Sequence, residues 1–169
     1  VLDKYILPAP PPGPNMHVEV QSKKATLYWQ KNAEYFVDPI SRERDFEGYK
    51  IYGATKTAND SLGEFSLLLE VDLKNNIGYN TGLSNIQIKN ELGQPDSIFI
   101  NNTYYHYKFE NSDIKDGWLN YYAITAYDQG DPDANLESLE SSIYSNRVYV
   151  FPGEPAADEN GWANDPTVY

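Results

Sequence analysis

Short runs in which tyrosine and β-branched residues alternate with polar ones fill residues 16–151, and each run is soon cut by Gly, Pro, Asn or Asp. A period of two sends successive side chains to opposite faces of a strand, and no stretch repeats apolar residues at the spacing of an amphipathic helix. The chain is therefore expected to be all-β. MHVEV (16–20), ATLYWQ (25–30), EGYKIYGAT (47–55), EFSLLLEVD (64–72), TYYHYKFE (103–110), NYYAITAYD (120–128) and NRVYVF (146–151) supply about seven main strands. The first two, joined by the polar QSKK, form a hairpin. Two sheets built from such strands bury their apolar faces against each other as a sandwich.

Ahead of the 103–110 strand lies a long insertion, residues 74–102, with two shorter β candidates, NIQIK (85–89) and SIFI (97–100), around the turn-like ELGQPD. The flanks differ in kind. Residues 1–14, VLDKYILPAPPPGP, end in a proline run that favours polyproline II and continues neither a helix nor a central strand. Residues 152–169 are rich in Pro, Gly and acids and show neither period. Both read as extended arms around one domain, 15–151, and a single core is what 169 residues are expected to bury. The chain opens on Val1 without a basic segment followed by an apolar one, so it reads as a piece of a larger protein.

Asp and Glu number 25 against 13 Lys and Arg, for a net charge of −12. That balance points away from nucleic acid and anionic membrane surfaces, because phosphate binding requires clustered Lys and Arg. Cations or basic surfaces suit it better. No apolar run approaches the roughly 18 residues that span a bilayer, so no membrane insertion is expected. Cysteine is absent, which removes disulfides, thiolate metal ligands and thiol nucleophiles together.

Taken in order, the proline-rich start, the strand with Trp29, FEGYKIYGAT (46–55), IKDGWLNYYAITAYD (114–128) and SNRVYVF (145–151) resemble a fibronectin type III domain. That family carries a core Trp on its second strand, commonly G-Y-x-[IV]-Y on its third, and Y-x-[YFV]-x-V-x-A-x-[DN] on its sixth. Gly48-Tyr49-Lys50-Ile51-Tyr52 and Tyr122-Ala123-Ile124-Thr125-Ala126-Tyr127-Asp128 carry the likeness, which covers 8–152 apart from the insertion. Asn120 stands where the family usually places its corner tyrosine, with Tyr121 beside it. EYFVDPISRERDFEGYKIYGAT and YYAITAYDQGDPDANLESLESS are further similar to fibronectin-like modules near the C-terminal end of large exported proteins of Bacteroidota-type bacteria, which often precede a type IX sorting domain. The resemblance implies an extracellular or cell-surface location and a non-enzymatic structural or interaction role. Its partners would be neighbouring domains or subunits of an ordered assembly.

Asp128, Asp131, Asp133, Glu137 and Glu140, with Asn135, place oxygen ligands of the kind Ca²⁺ takes just after the sixth strand. Of these, Asp128, Asp131 and Asp133 are the candidate metal ligands. An EF-hand does not fit: counted from Asp131, position 6 is Leu136 where Gly is needed, and position 12 is Ser142 where a bidentate Glu is needed. The plainer reading is a solvated loop whose Asp-Pro and Asn serve turn chemistry. Glu34, Asp38, Glu43, Asp45 and Glu47 lie in the loop between the second and third strands, which would emerge at the same end of the sandwich. Arg42 and Arg44 sit among them and offset them by surface ion pairs of about 0–1 kcal/mol.

Catalysis has little to build on. His17 and His106 fall in strand patterns, and no nucleophile elbow, P-loop, dinucleotide fingerprint or H-E-x-x-H occurs. Fifteen Tyr, six Phe and three Trp raise the alternative of a carbohydrate-binding accessory domain of an exported hydrolase. Alternating Tyr is ordinary in sheets, and Trp29 is assigned to the core. Trp118 and Trp162 are the candidate ligand or partner contacts.

Overall fold

A computed structural model describes residues 7–56 and 63–153; residues 1–6, 57–62 and 154–169, with Trp162 among them, lie outside the described residues. Along the chain run β1 (Met16–Gln21), β2 (Lys24–Trp29), one turn of 3₁₀ helix (Asn32–Tyr35), β3 (Phe46–Thr55), β4 (Ser66–Asp72), β5 (Ile98–Ile100), β6 (Thr103–Tyr105), β7 (Tyr107–Asn111), β8 (Asn120–Asp128) and β9 (Arg147–Val150). The fold is an all-β sandwich, as the alternation predicts. One sheet has the order β1-β2-β7 and the other β4-β3-β8-β9, while β5 and β6 form a separate hairpin.

Period-two patterning decides what faces inward. Ala25, Leu27 and Trp29 of β2 and Tyr107 of β7 meet Tyr49 and Ile51 of β3, Val71 of β4, Tyr122, Ile124 and Ala126 of β8 and Val150 of β9. Trp29 lies 5.8 Å edge-on from Tyr49 and 5.7 Å from Tyr107, measured between ring centroids. The 3₁₀ turn completes this centre. Glu34 Oε1 accepts the hydroxyls of Tyr49 at 3.0 Å and of Tyr107 at 2.5 Å, so one carboxylate satisfies a phenol from each sheet. Burial, followed by the Glu34 charge and hydrogen bond, pushes both phenols far above their ordinary range.

The run at 103–110, expected as one strand, is two. β6 pairs with β5, and the chain then changes sheets at His106, so that Tyr107 joins β2 opposite Trp29. His106 N–H donates to the Trp29 carbonyl and its own carbonyl accepts from Ile88, both at 3.0 Å. The 85–89 run forms no full strand; it lies along the outer edge of β7 through the Gln87–Tyr107 bridge and the Lys108 N–H bond to the Ile86 carbonyl at 2.7 Å. A sheet edge that would otherwise template further pairing is thereby covered. The β5–β6 turn is Asn101-Asn102, both at positive φ (49° and 61°), the conformation a tight hairpin matched to strand twist demands.

The described part of the proline-rich segment is packed down rather than extended away. Pro11 and Pro14 are fully buried. Ala9 N–H donates to Asp38 Oδ2 at 3.3 Å, and Asn146 Nδ2 donates to the Pro14 carbonyl.

Candidate functional site

The acids flagged along the sequence do share one end of the sandwich, since Gln129 N–H, just past β8, donates to the Asp45 carbonyl at 2.9 Å. Their oxygens are mostly committed to backbone. Asp128 is buried, and its Oδ1 accepts from Gly130 N–H at 3.1 Å and Leu139 N–H at 2.7 Å. Asp131 is exposed and caps its own turn, accepting from the N–H groups of Asp133 at 3.1 Å and Ala134 at 3.2 Å. Asp133 is exposed too. Glu140 turns to the outer face of the four-stranded sheet, where it accepts from Tyr52 Oη at 2.5 Å, Thr125 Oγ1 at 2.6 Å and Lys50 Nζ at 3.3 Å. Among the described residues no three His, Cys, Asp or Glu side chains gather into a group able to hold a metal ion, so Asp128, Asp131 and Asp133 are not brought together as a ligand set.

In the second acidic group Glu34, Asp38, Asp45 and Glu47 stand in different surroundings. Glu34 holds the core tyrosines. Asp38 is buried and accepts from the N–H groups of Ile40 at 2.7 Å and Ser41 at 2.8 Å; burial alone would raise its pKa, but these bonds and that from Ala9 bring it below the ordinary carboxylate range. Glu47 is buried under the segment after β4, with Oε2 accepting from Asn75 Nδ2 at 2.8 Å. Among the described residues, Glu47 Oε1 and the buried Asp45 Oδ1 have no hydrogen-bond partner. Desolvation, then the charges of Asp128, Asp38 and Glu43, push the Asp45 carboxyl up to about 6.

That displacement has a sign. A carboxyl whose pKa rises on folding holds its proton more tightly in the folded state, so its contribution favours folding at low pH and is lost as pH climbs from about 4 to about 6. Asp45→Asn should therefore be more stable than the parent at pH 7.5, by about 1 kcal/mol once solvent screening of this half-buried group is allowed for. Urea unfolding at pH 4 and 7.5 checks this, and a variant weaker than the parent at the higher pH would show that the Asp45 charge is well compensated.

Two surfaces carry exposed aromatic rings. On the outer face of the four-stranded sheet, the pairs Tyr121–Tyr149 and Ala123–Arg147 stand opposite in register, turned away from Tyr122 and Val150 in the core. Tyr121 and Tyr149 lie 6.0 Å apart, and the Arg147 guanidinium sits 5.8 Å over Tyr121 and 5.7 Å over Tyr144. Phe65 meets Tyr144 edge-on at 6.5 Å. Tyr144 and Tyr149 are 70% and 69% exposed.

The second surface is a cleft of about 540 Å³ whose lining includes Trp118, Asn111, Asn120 and Tyr122. Trp118 is 40% exposed, with Lys115 Nζ 5.8 Å over its ring. Its loop is fixed: Gly117 adopts a φ of +78° and donates to the Pro152 carbonyl at 3.0 Å, while Lys56 N–H holds the Leu119 carbonyl at 2.9 Å. Asn120 ties two segments together at the start of β8. It accepts from Thr55 Oγ1 at 3.2 Å and donates to the Trp118 carbonyl at 2.9 Å.

Trp118, singled out from the sequence, lines the cleft, while the exposed face of Tyr121, Tyr144, Arg147 and Tyr149 was not singled out. Strand parity was the available signal, because residues alternating with Tyr122 and Val148 must look outward. No protein family matches the chain, and no curated protein matches it. Among solved structures it is similar to astrotactin-2, described as a conserved vertebrate-specific and perforin-like membrane protein involved in neuronal development, at 15% identity and a TM-score of 0.46, over 90% of this chain and 23% of that one. The chain thus spans less than a quarter of that protein's length, and at this score the likeness carries no argument.

Proposed function

We propose that the chain is a non-enzymatic, fibronectin type III-like module of a larger secreted or cell-surface protein, working by contact with neighbouring domains or subunits. The observation that carries this reading is the exposed aromatic face built around Arg147. Tyr and Arg are the residues that most often anchor protein interfaces, and contiguous exposed apolar area on a small domain marks a contact surface. The four rings and one guanidinium come from β8, β9 and the segments flanking β4 and β9, so the sheet holds them in fixed relation.

Strand order supports the module assignment. Counting the main strands in chain order, the first, second and fifth share one sheet, and the third, fourth, sixth and seventh share the other. Immunoglobulin-type sandwiches likewise set strands A, B and E against C, F and G. Extracellular location follows from the motif resemblance to exported bacterial modules.

Hydroxyl-radical footprinting of the isolated chain and of the parent protein in its assembly tests the reading. Tyr121, Tyr144 and Tyr149 are expected to be labelled several-fold less in the assembly, and Arg147→Glu is expected to restore their labelling. Equal labelling in both states would remove this face from the interaction and the reading with it.

A further inference from the structure

We propose that the cleft beneath Trp118 is a binding site for a neutral oligosaccharide. Tyr121 borders both this cleft and the aromatic face, but the proposal rests on Trp118, so it can fail or stand independently.

The cleft combines an apolar plate with fixed polar groups. Trp118 is large, exposed over 40% of its surface, and carried on a loop pinned by Gly117 and Asn120 rather than a loose tip. An indole held open in this way offers a flat face to the C–H side of a sugar ring. Around it, the lining includes the amide side chains of Asn111 and Asn120 and the carboxylates of Glu64 and Asp113. Sugar hydroxyls both accept and donate, which fits these groups.

Charge narrows the class further. Lys115, Asp113 and Glu64 all line the cleft, so charges of both signs are present. An anionic glycan would meet two local carboxylates and a chain of net charge −12. A cationic ligand would meet the like charge of Lys115, whose Nζ lies 5.8 Å over the Trp118 ring. An uncharged polyol meets neither obstacle, and a cleft of about 540 Å³ has the size of ordinary small-ligand sites.

The experiment uses the full chain and four neutral probes: cellohexaose, xylohexaose, mannohexaose and maltohexaose, titrated by calorimetry and by tryptophan fluorescence. Saturable binding to at least one is expected, with fluorescence change. Trp118→Ala should abolish it while leaving the melting temperature unchanged, and Trp118→Phe should retain part of it. Tyr149→Ala, on the other surface, should leave it intact. The proposal is overturned by no saturable binding to any probe, by binding that survives Trp118→Ala, or by a chain that takes sulfated glycans or peptides at this cleft and not neutral sugars.

Discussion

Trp29→Ala is expected to lower the unfolding free energy by about 3–5 kcal/mol, a large part of the roughly 5–15 kcal/mol that holds a domain together. Trp29 is completely buried and contacts rings from both sheets, so its removal leaves a void that neither Tyr49 nor Tyr107 can close without leaving its bond to Glu34. Trp29→Phe should cost much less. Among the described residues the indole N–H has no hydrogen-bond partner, and phenylalanine removes that unsatisfied donor together with the second ring. Urea midpoints of the two variants decide the matter. If phenylalanine proves as damaging as alanine, the cost lies in the indole's shape rather than in lost volume.

Asp72→Ala should be nearly as destructive, at about 3 kcal/mol or more, although the site holds no apolar core. Asp72 is buried at the end of β4, and the insertion winds around its carboxylate. Oδ2 accepts from the N–H groups of Tyr79 at 2.6 Å and Asn80 at 3.0 Å, and Oδ1 accepts from Thr81 N–H at 2.6 Å and Thr81 Oγ1 at 2.9 Å. Without the carboxylate three backbone donors lose their acceptor at once. Burial alone would raise the pKa of Asp72, but these bonds overcome it and hold the group below its ordinary range. Its stabilisation is therefore full at neutral pH and drains away as pH falls below about 4 toward the folded value. Because Asp45 acts in the opposite sense, stability should peak in mildly acidic solution. In Asp72→Asn the acid limb should flatten, and hydrogen exchange across 79–81 should accelerate; unchanged exchange there would mean the loop is held by something else.

How much of this was legible beforehand depended on whether the deciding interaction was local. The alternation at 120–128 located β8 residue for residue, and Trp29 could be placed inside because its neighbours Leu27 and Ala25 share its parity. The break at His106 was hidden, since TYYHYKFE alternates without interruption and only the competition between β5 and β2 for its two halves splits it. Carboxylates were legible as a group and not as individuals. Whether an Asp faces water, a backbone N–H or another carboxyl depends on how the chain folds back on it, from two or three positions away at Asp38, nine at Asp72 and twenty-nine where Asp38 meets Ala9. Proline content pointed to an extended arm, whereas Pro11 and Pro14 are buried, and the Pro14 carbonyl is held by Asn146, more than a hundred positions downstream.

That asparagine has a mechanical meaning. Its amide donates both to the Pro14 carbonyl and to the Ile124 carbonyl at 3.2 Å, and Gly13 leaves it room, since a Cβ there would stand 3.0 Å from the Asn146 Cβ. Suppose the module is pulled from its N-terminal side by a neighbouring domain. A hairpin strand such as β1, loaded from its end, unzips one ladder bond at a time under small force. Here the tension meets the Ala9–Asp38 bond and then Asn146, which passes it into β8, a central strand flanked by β3 and β9. The load is then shared across many bonds in shear, and the first strand stays seated until the Asn146 clamp gives way.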